Sequence, residues 1–140
     1  MRVVLDTNVL LSALMRDGLT HTLLLYPDLD VVMPEFALEE VYRYLPSFAK
    51  RMGIATPQAR LTVELLLGHV ETVPHEDYSH EIQRADEILR DVDPDDAPFA
   101  ARAFATSLPI WTQDNALQNC KGISTISTMD LAKRLGVLVE

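Results

Sequence analysis

Four places in this 140-residue chain set a carboxylate at the end of an expected strand or the start of an expected helix. They are Asp6, the Glu39-Glu40 pair, the Asp93-Asp95-Asp96 cluster and Asp114. Hard divalent cations such as Mg²⁺ take oxygen ligands and keep several waters, so a few convergent carboxylates make a suitable site. Carboxylates gathered in one pocket also repel, and without a cation at least one should have a raised pKa. The chemistry such a site suits is metal-assisted hydrolysis of a phosphodiester, in which a metal activates water and stabilises the leaving oxygen. Each acid also has a plainer reading. Asp6, Asp93 and Asp96 are good helix caps, Asp114 fits a turn, and Glu39 and Glu40 fit the solvated side of an amphipathic helix.

The elements that must carry these acids alternate between strand and helix. Arg2 to Leu5 is a short apolar run without alternation, as in a strand covered on both faces, and helical spacing follows through Val9, Leu10, Ala13 and Leu14. Arg16-Asp17-Gly18 reads as a helix end and turn, and Thr20 to Tyr26 as a second short helix. Val31 to Met33 is a strand, and Glu35 to Leu45 a helix broken by Pro46, with one further turn from Ser47 to Met52. Thr56-Pro57 is an N-cap and first-position pair for a helix reaching Gly68. Val70 to Val73 is a strand, and Asp77 or Ser79 caps the next helix. Ala97 to Thr106 is an Ala-rich helix, and Pro98 must lie in its first turn, which leaves Asp93 in the preceding loop. Strands at Pro109 to Thr112 and Gly122 to Ile126 follow, then a helix capped by Ser127 or Thr128. Strands separated by helices imply parallel crossovers in one sheet, and an acid at the carboxyl end of a first, central strand lies where such sheets place ligands. The expectation is one α/β domain over 1–140, with the segment 36–67 as a candidate helical arm.

Composition sets limits. Hydrophobic residues make up 48% of the chain, enough for a packed core. No apolar run approaches the roughly 18 residues of a membrane span, and no leader pattern opens the chain. The single cysteine, Cys120, reads as an inert small hydrophobe and fits a reducing cytoplasm. Net charge is -9, so any contact with nucleic acid is local or metal-assisted. The bases are scattered: Lys50 and Arg51 are the expected phosphate contacts, with ordinary solvated charge as the alternative. Tyr42 and Tyr44 have helical spacing, for which core packing is expected before base stacking.

The set of motifs resembles the PIN domain family of nucleases, and within it the VapC-like toxins and their relatives. The residues that carry the resemblance are Val4-Leu-Asp6-Thr-Asn8-Val-Leu, Glu40-Val41, Asp93-Pro-Asp-Asp96 with Ala100-Ala101-Arg102-Ala103, and Trp111-Thr112-Gln-Asp114. The resemblance implies a three-layer α/β/α domain with a central parallel sheet of about five strands, Mg²⁺ or Mn²⁺ dependence and endoribonuclease activity on RNA. It favours Glu40 over Glu39 and makes Asp6, Glu40, Asp96 and Asp114 the catalytic and metal-binding acids. Asn8 and Thr112 then hydrogen-bond those carboxylates. It also implies a homodimer, with a small antitoxin as partner where the protein is a toxin.

Two other enzyme-like layouts fit less well. A haloacid-dehalogenase-type phosphatase needs a second Asp where this chain has Asn8, and a phosphoryl receiver needs an Asp where the strand from Val70 to Val73 meets Pro74 and His75. A non-enzymatic alternative is a PIN-like scaffold that binds RNA or a protein without turnover.

Overall fold

In the computed structural model, which describes residues 1–14 and 18–137, the apolar run Arg2–Leu5 forms strand β1. Val3, Val4 and Leu5 are fully buried, as a strand covered by helices on both faces requires. Helices α1 (Thr7–Ser12) and α2 (Leu19–Leu24) lead to β2 (Asp30–Pro34). The turn expected at Arg16 and Asp17 lies outside the described residues. Helices α3 (Ala37–Met52) and α4 (Thr56–Leu67) follow, then β3 (Val70–Val73). The rest is α5 (Ile82–Leu89), α6 (Ala97–Thr106), β4 (Ile110–Trp111), α7 (Asn115–Gln118), β5 (Thr125–Ile126) and α8 (Thr128–Arg134).

The strands form one parallel sheet in the order β3-β2-β1-β4-β5, flanked by helices in a three-layer α/β/α arrangement. The first strand is therefore central. From β1 the chain winds outward through β2 to β3, then returns to the other side of β1 to build β4 and β5. The order reverses between β1 and β4, and the crevice beyond their carboxyl ends is where open α/β sheets bind ligands.

Several local expectations are corrected. Pro46 does not break its helix: α3 runs unbroken through it for 16 residues. Ala37, Val41, Leu45 and Ala49 are buried at every fourth position, so one continuous stripe on both sides of the proline is seated in the core. That packing outweighs the lost hydrogen bond. Pro46 itself is exposed. Pro46→Ala is therefore expected to stabilise the fold by about 1–2 kcal/mol, part of the roughly 3 kcal/mol an interior proline costs. The check is a higher urea midpoint with an unchanged slope.

Tyr44 is an exposed side chain, not a core one, and Tyr42 is half-buried with the Arg60 guanidinium 5.1 Å from its ring centroid. Neither Asp77 nor Ser79 caps α5. Two 3₁₀ turns, His75–Asp77 and Ser79–Glu81, intervene around the buried Tyr78, which pins the segment to the core. Thr56 is the first residue of α4 and makes no capping hydrogen bond. The two last strands are shorter than their apolar runs. The one-turn helix α7 falls where only a turn is legible. Ser127 does cap α8, its hydroxyl accepting from the Asp130 amide at 3.1 Å.

Candidate active site

All four acids reach the carboxyl edge of the sheet. Asp6 directly follows β1, Glu40 lies in the first turn of α3 just after β2, and Asp114 follows β4 by three residues. Helix α6 leads into β4 and runs back across the sheet, so its beginning, at Asp96, faces the same edge. The partial positive charge at the N-termini of α3 and α6 offsets some of this crowding of acids.

Asp6 occupies the N-cap position of α1, but its side chain makes no capping hydrogen bond. It is 6% exposed, and its Oδ2 accepts from the Thr112 hydroxyl at 2.7 Å. The same hydroxyl oxygen accepts from the Asp114 amide at 3.0 Å, so one fully buried threonine ties the end of β1 to the turn that carries Asp114. Gln118 secures the arrangement from α7, donating its amide to the Thr112 carbonyl at 3.0 Å. Asp114 accepts from the Ala116 amide through Oδ1 at 2.8 Å, which caps α7. Asp96 makes no capping hydrogen bond at the start of α6. Asp93 does the local work instead, accepting from the Asp95 amide at 3.1 Å to close the 3₁₀ turn Pro94–Asp96.

The acids act on one another electrostatically. The Asp96 carboxyl is pushed up to about 8, first by burial and then by Asp6, Asp93, Asp114 and Glu40. Burial raises Asp6 as well, and Asp114 adds to this, while the Thr112 hydroxyl and the Asn8 and Thr7 amides hold it down. Glu40 is raised by burial and by Asp6 and Asp95, against the Thr7 hydroxyl and Arg43. Glu40 is half-buried and Glu39 exposed, so Glu40 is the member of the pair that senses Asp6. Asn8 acts through its backbone: its side chain is exposed and makes no hydrogen bond among the described residues.

Thr7 is the member of this neighbourhood that sequence reasoning missed. Its hydroxyl is buried beside Glu40, near enough to hold that carboxyl down but without a full hydrogen bond to any group among the described residues. Lys50 and Arg51 are exposed at the far end of α3, about 15 Å along the helix from Glu40 at 1.5 Å per residue. The structure does not bring them to the acids.

The donor set is all oxygen, which suits Mg²⁺ or Mn²⁺ and not softer metals. Among the described residues no three acids are drawn together as a closed cage. Mg²⁺ does not require one, because it binds through one or two carboxylates and keeps its own waters. A cation would relieve the mutual repulsion at Asp96 and give the unpartnered Thr7 hydroxyl a polar neighbour in a bound water. The residues therefore fit such an ion.

A doubly wound parallel sheet with four carboxylates around its switch point defines an acid-centred α/β domain. The sequence matches the model of the PIN domain over residues 4–136, and the chain belongs to the PIN domain family. No curated protein matches the sequence. Among solved structures, the chain is similar to the crystal structure of VapBC2 from Rickettsia felis bound to a DNA fragment from their promoter. The TM-score is 0.71 at 14% identity, covering 91% of this chain and 98% of that one, which is a likeness of fold. No helix among the described residues is long and apolar enough to cross a membrane.

Proposed function

We propose that this protein is a metal-dependent endoribonuclease that hydrolyses RNA phosphodiester bonds, with Asp6, Glu40, Asp96 and Asp114 as its catalytic and metal-holding acids. The observation that supports the reading is the buried Thr112 hydroxyl, which bonds Asp6 at 2.7 Å and the Asp114 amide at 3.0 Å at the carboxyl edge of the sheet, where burial and the neighbouring acids also raise Asp96. A bound Mg²⁺ or Mn²⁺ supplies an activated water and charge stabilisation at the scissile phosphate. The chain's own residues do the rest. Thr112 fixes the Asp6 carboxylate and the Asp114 turn, and Thr7 lies beside Glu40. Asp96 or Asp114 would also orient the attacking water.

The chain 1–140 acts as one nuclease domain, with the α3–α4 hairpin as an arm beside the site. Lys50 and Arg51 then meet phosphates several nucleotides from the cut. Membership of the PIN family and the fold shared with a toxin–antitoxin complex support a role as the toxin of such a pair. That role carries with it a homodimer, a small antitoxin partner and a cytoplasmic setting. One observation favours a second reading, a scaffold that binds RNA or protein without turnover: the net charge of -9 without a basic stripe.

The test is cleavage of a mixed single-stranded RNA pool in Mn²⁺, in Mg²⁺ and in chelator. Wild type should cut only with metal. Asp6→Asn and Asp96→Asn should each lower the rate by about 10²-fold or more, equivalent to about 3 kcal/mol in the barrier. Cutting that survives either substitution would remove that acid from the site. No cutting by wild type, with Mn²⁺ still bound, would favour the scaffold.

A further inference from the structure

Beside the acids lies a cleft of about 330 Å³ that the proposed chemistry does not use. Glu40 belongs to both, so the cleft opens directly onto the acid cluster. Phe36, Ile82, Pro94 and Pro98 form apolar walls. Phe36 is 41% exposed. It is not loose: its ring meets Phe99 edge-on, with centroids 6.2 Å apart and planes at 62°. The volume is at the small end of the roughly 300–1,000 Å³ of small-molecule sites, so it suits one planar ring system rather than a larger ligand.

The polar groups of the cleft narrow the choice. Arg43 supplies its cation; it makes no ion pair within 4.0 Å among the described residues, its guanidinium lies 6.0 Å from the Tyr44 ring centroid, and its charge acts on Glu40. Asp86 and Asp95 supply acceptors. Guanine offers acceptors at O6 and N7 for an arginine fork, and two adjacent donors, N1–H and the 2-amino group, for a carboxylate. Uracil has only one N–H donor for the acids. Bases of single-stranded RNA are free to leave a stack and settle on an aromatic face.

We propose that this cleft binds a guanine base of the RNA, on a nucleotide adjacent to the scissile phosphate, with Phe36 as the stacking face and Arg43 reading O6 and N7. The proposal rests on the nuclease reading for the placing of the phosphate, but base binding in the cleft is testable without any cleavage.

The experiment follows amide chemical shifts of the full-length wild-type protein in Mg²⁺, titrated with guanosine 5′-monophosphate and, separately, uridine 5′-monophosphate. Concentrations up to about 10 mM register even a millimolar Kd. The two ligands carry the same phosphate, so a difference between them reports the base. Guanosine monophosphate should shift Phe36, Arg43 and Ile82 and bind at least about fivefold tighter than uridine monophosphate. Phe36→Ala should weaken both. Arg43→Gln, on the exposed side of α3, should abolish the discrimination while leaving the fold intact. Equal shifts for the two nucleotides, or shifts confined to other surfaces, would overturn the proposal. Sequencing the cut ends of the RNA pool separates the two claims. Cleavage without enrichment of guanine beside the cut overturns the cleft assignment and leaves the nuclease standing. Selective guanosine monophosphate binding without cleavage supports the cleft and counts against the nuclease.

Discussion

Asp96→Asn should make the metal-free protein more stable, and by more as the pH rises. The folded Asp96 carboxyl titrates near 8, against an ordinary value of 3.8. Below about pH 4 both folded and unfolded chains hold the proton, and the site costs nothing. Between about pH 4 and 8 the folded chain keeps a proton that the unfolded chain gives up, so stability falls as pH rises; above about pH 8 the loss is complete. The raised Asp6 and Glu40 carboxyls act in the same direction. Asparagine has the same shape and no charge. It should match wild type near pH 4 and exceed it at pH 8.5 by about 1–3 kcal/mol, after allowance for water and salt around a half-exposed group. That corresponds to several degrees in Tm for a chain of this size. Mn²⁺ should raise the wild-type Tm strongly at pH 8.5 and raise that of the variant much less. Thermal melts across pH, with and without Mn²⁺, decide it. A variant less stable than wild type at pH 8.5, or a difference that does not change with pH, would mean that the acids are not packed against one another.

The second large effect belongs to Thr112→Val, which keeps the shape of the side chain and removes its hydroxyl. That one group donates to Asp6 at 2.7 Å and accepts from the Asp114 amide at 3.0 Å, fully buried. The variant leaves a buried carboxylate without its donor and a backbone amide without its acceptor. The expected destabilisation is about 1–3 kcal/mol, near the top of the range for a hydrogen bond because one partner is charged. Mn²⁺ affinity should fall about 10-fold or more, as it does when a group orienting a metal ligand is lost. Thr112→Ser should recover most of both. Calorimetric titration with Mn²⁺ alongside urea denaturation separates the two effects. An unchanged Mn²⁺ affinity would show that Asp6 does not depend on this hydroxyl for its orientation.

The proposed acids are legible in the sequence because each sits at a boundary between elements. A carboxylate after Val3-Val4-Leu5, or one just ahead of the Ala-rich run from Ala97, needs only chain order and strand direction to place it at one edge of the sheet. The five-stranded parallel sheet follows from the same alternation, and the matching family model and solved fold agree with it. What local rules misread was decided by distant contacts. Pro46 looks like a breaker because propensity is local, whereas the stripe from Ala37 to Ala49 is held by packing the sequence does not display. Thr7 looks like an ordinary helix-start residue, and only the fold seals its hydroxyl beside Glu40. Glu39 and Glu40 are neighbours in sequence with opposite surroundings, and a helical wheel alone did not separate them. Tyr44 shares the helical spacing of core residues, yet faces solvent.

The position of β1 in the middle of the sheet also sets an order of events during synthesis. Its pairing with β2 closes after about 30 residues have emerged, but Thr112, which bonds Asp6, lies 106 residues beyond Asp6 in the chain. Until that part is made, the inner edge of β1 has no partner and the four acids have no common meeting point. A nascent chain stopped before β4 therefore carries an open apolar strand edge, a liability for aggregation, but no assembled site. The same topology that exposes the unfinished chain delays assembly of the proposed site until nearly the whole domain has left the ribosome.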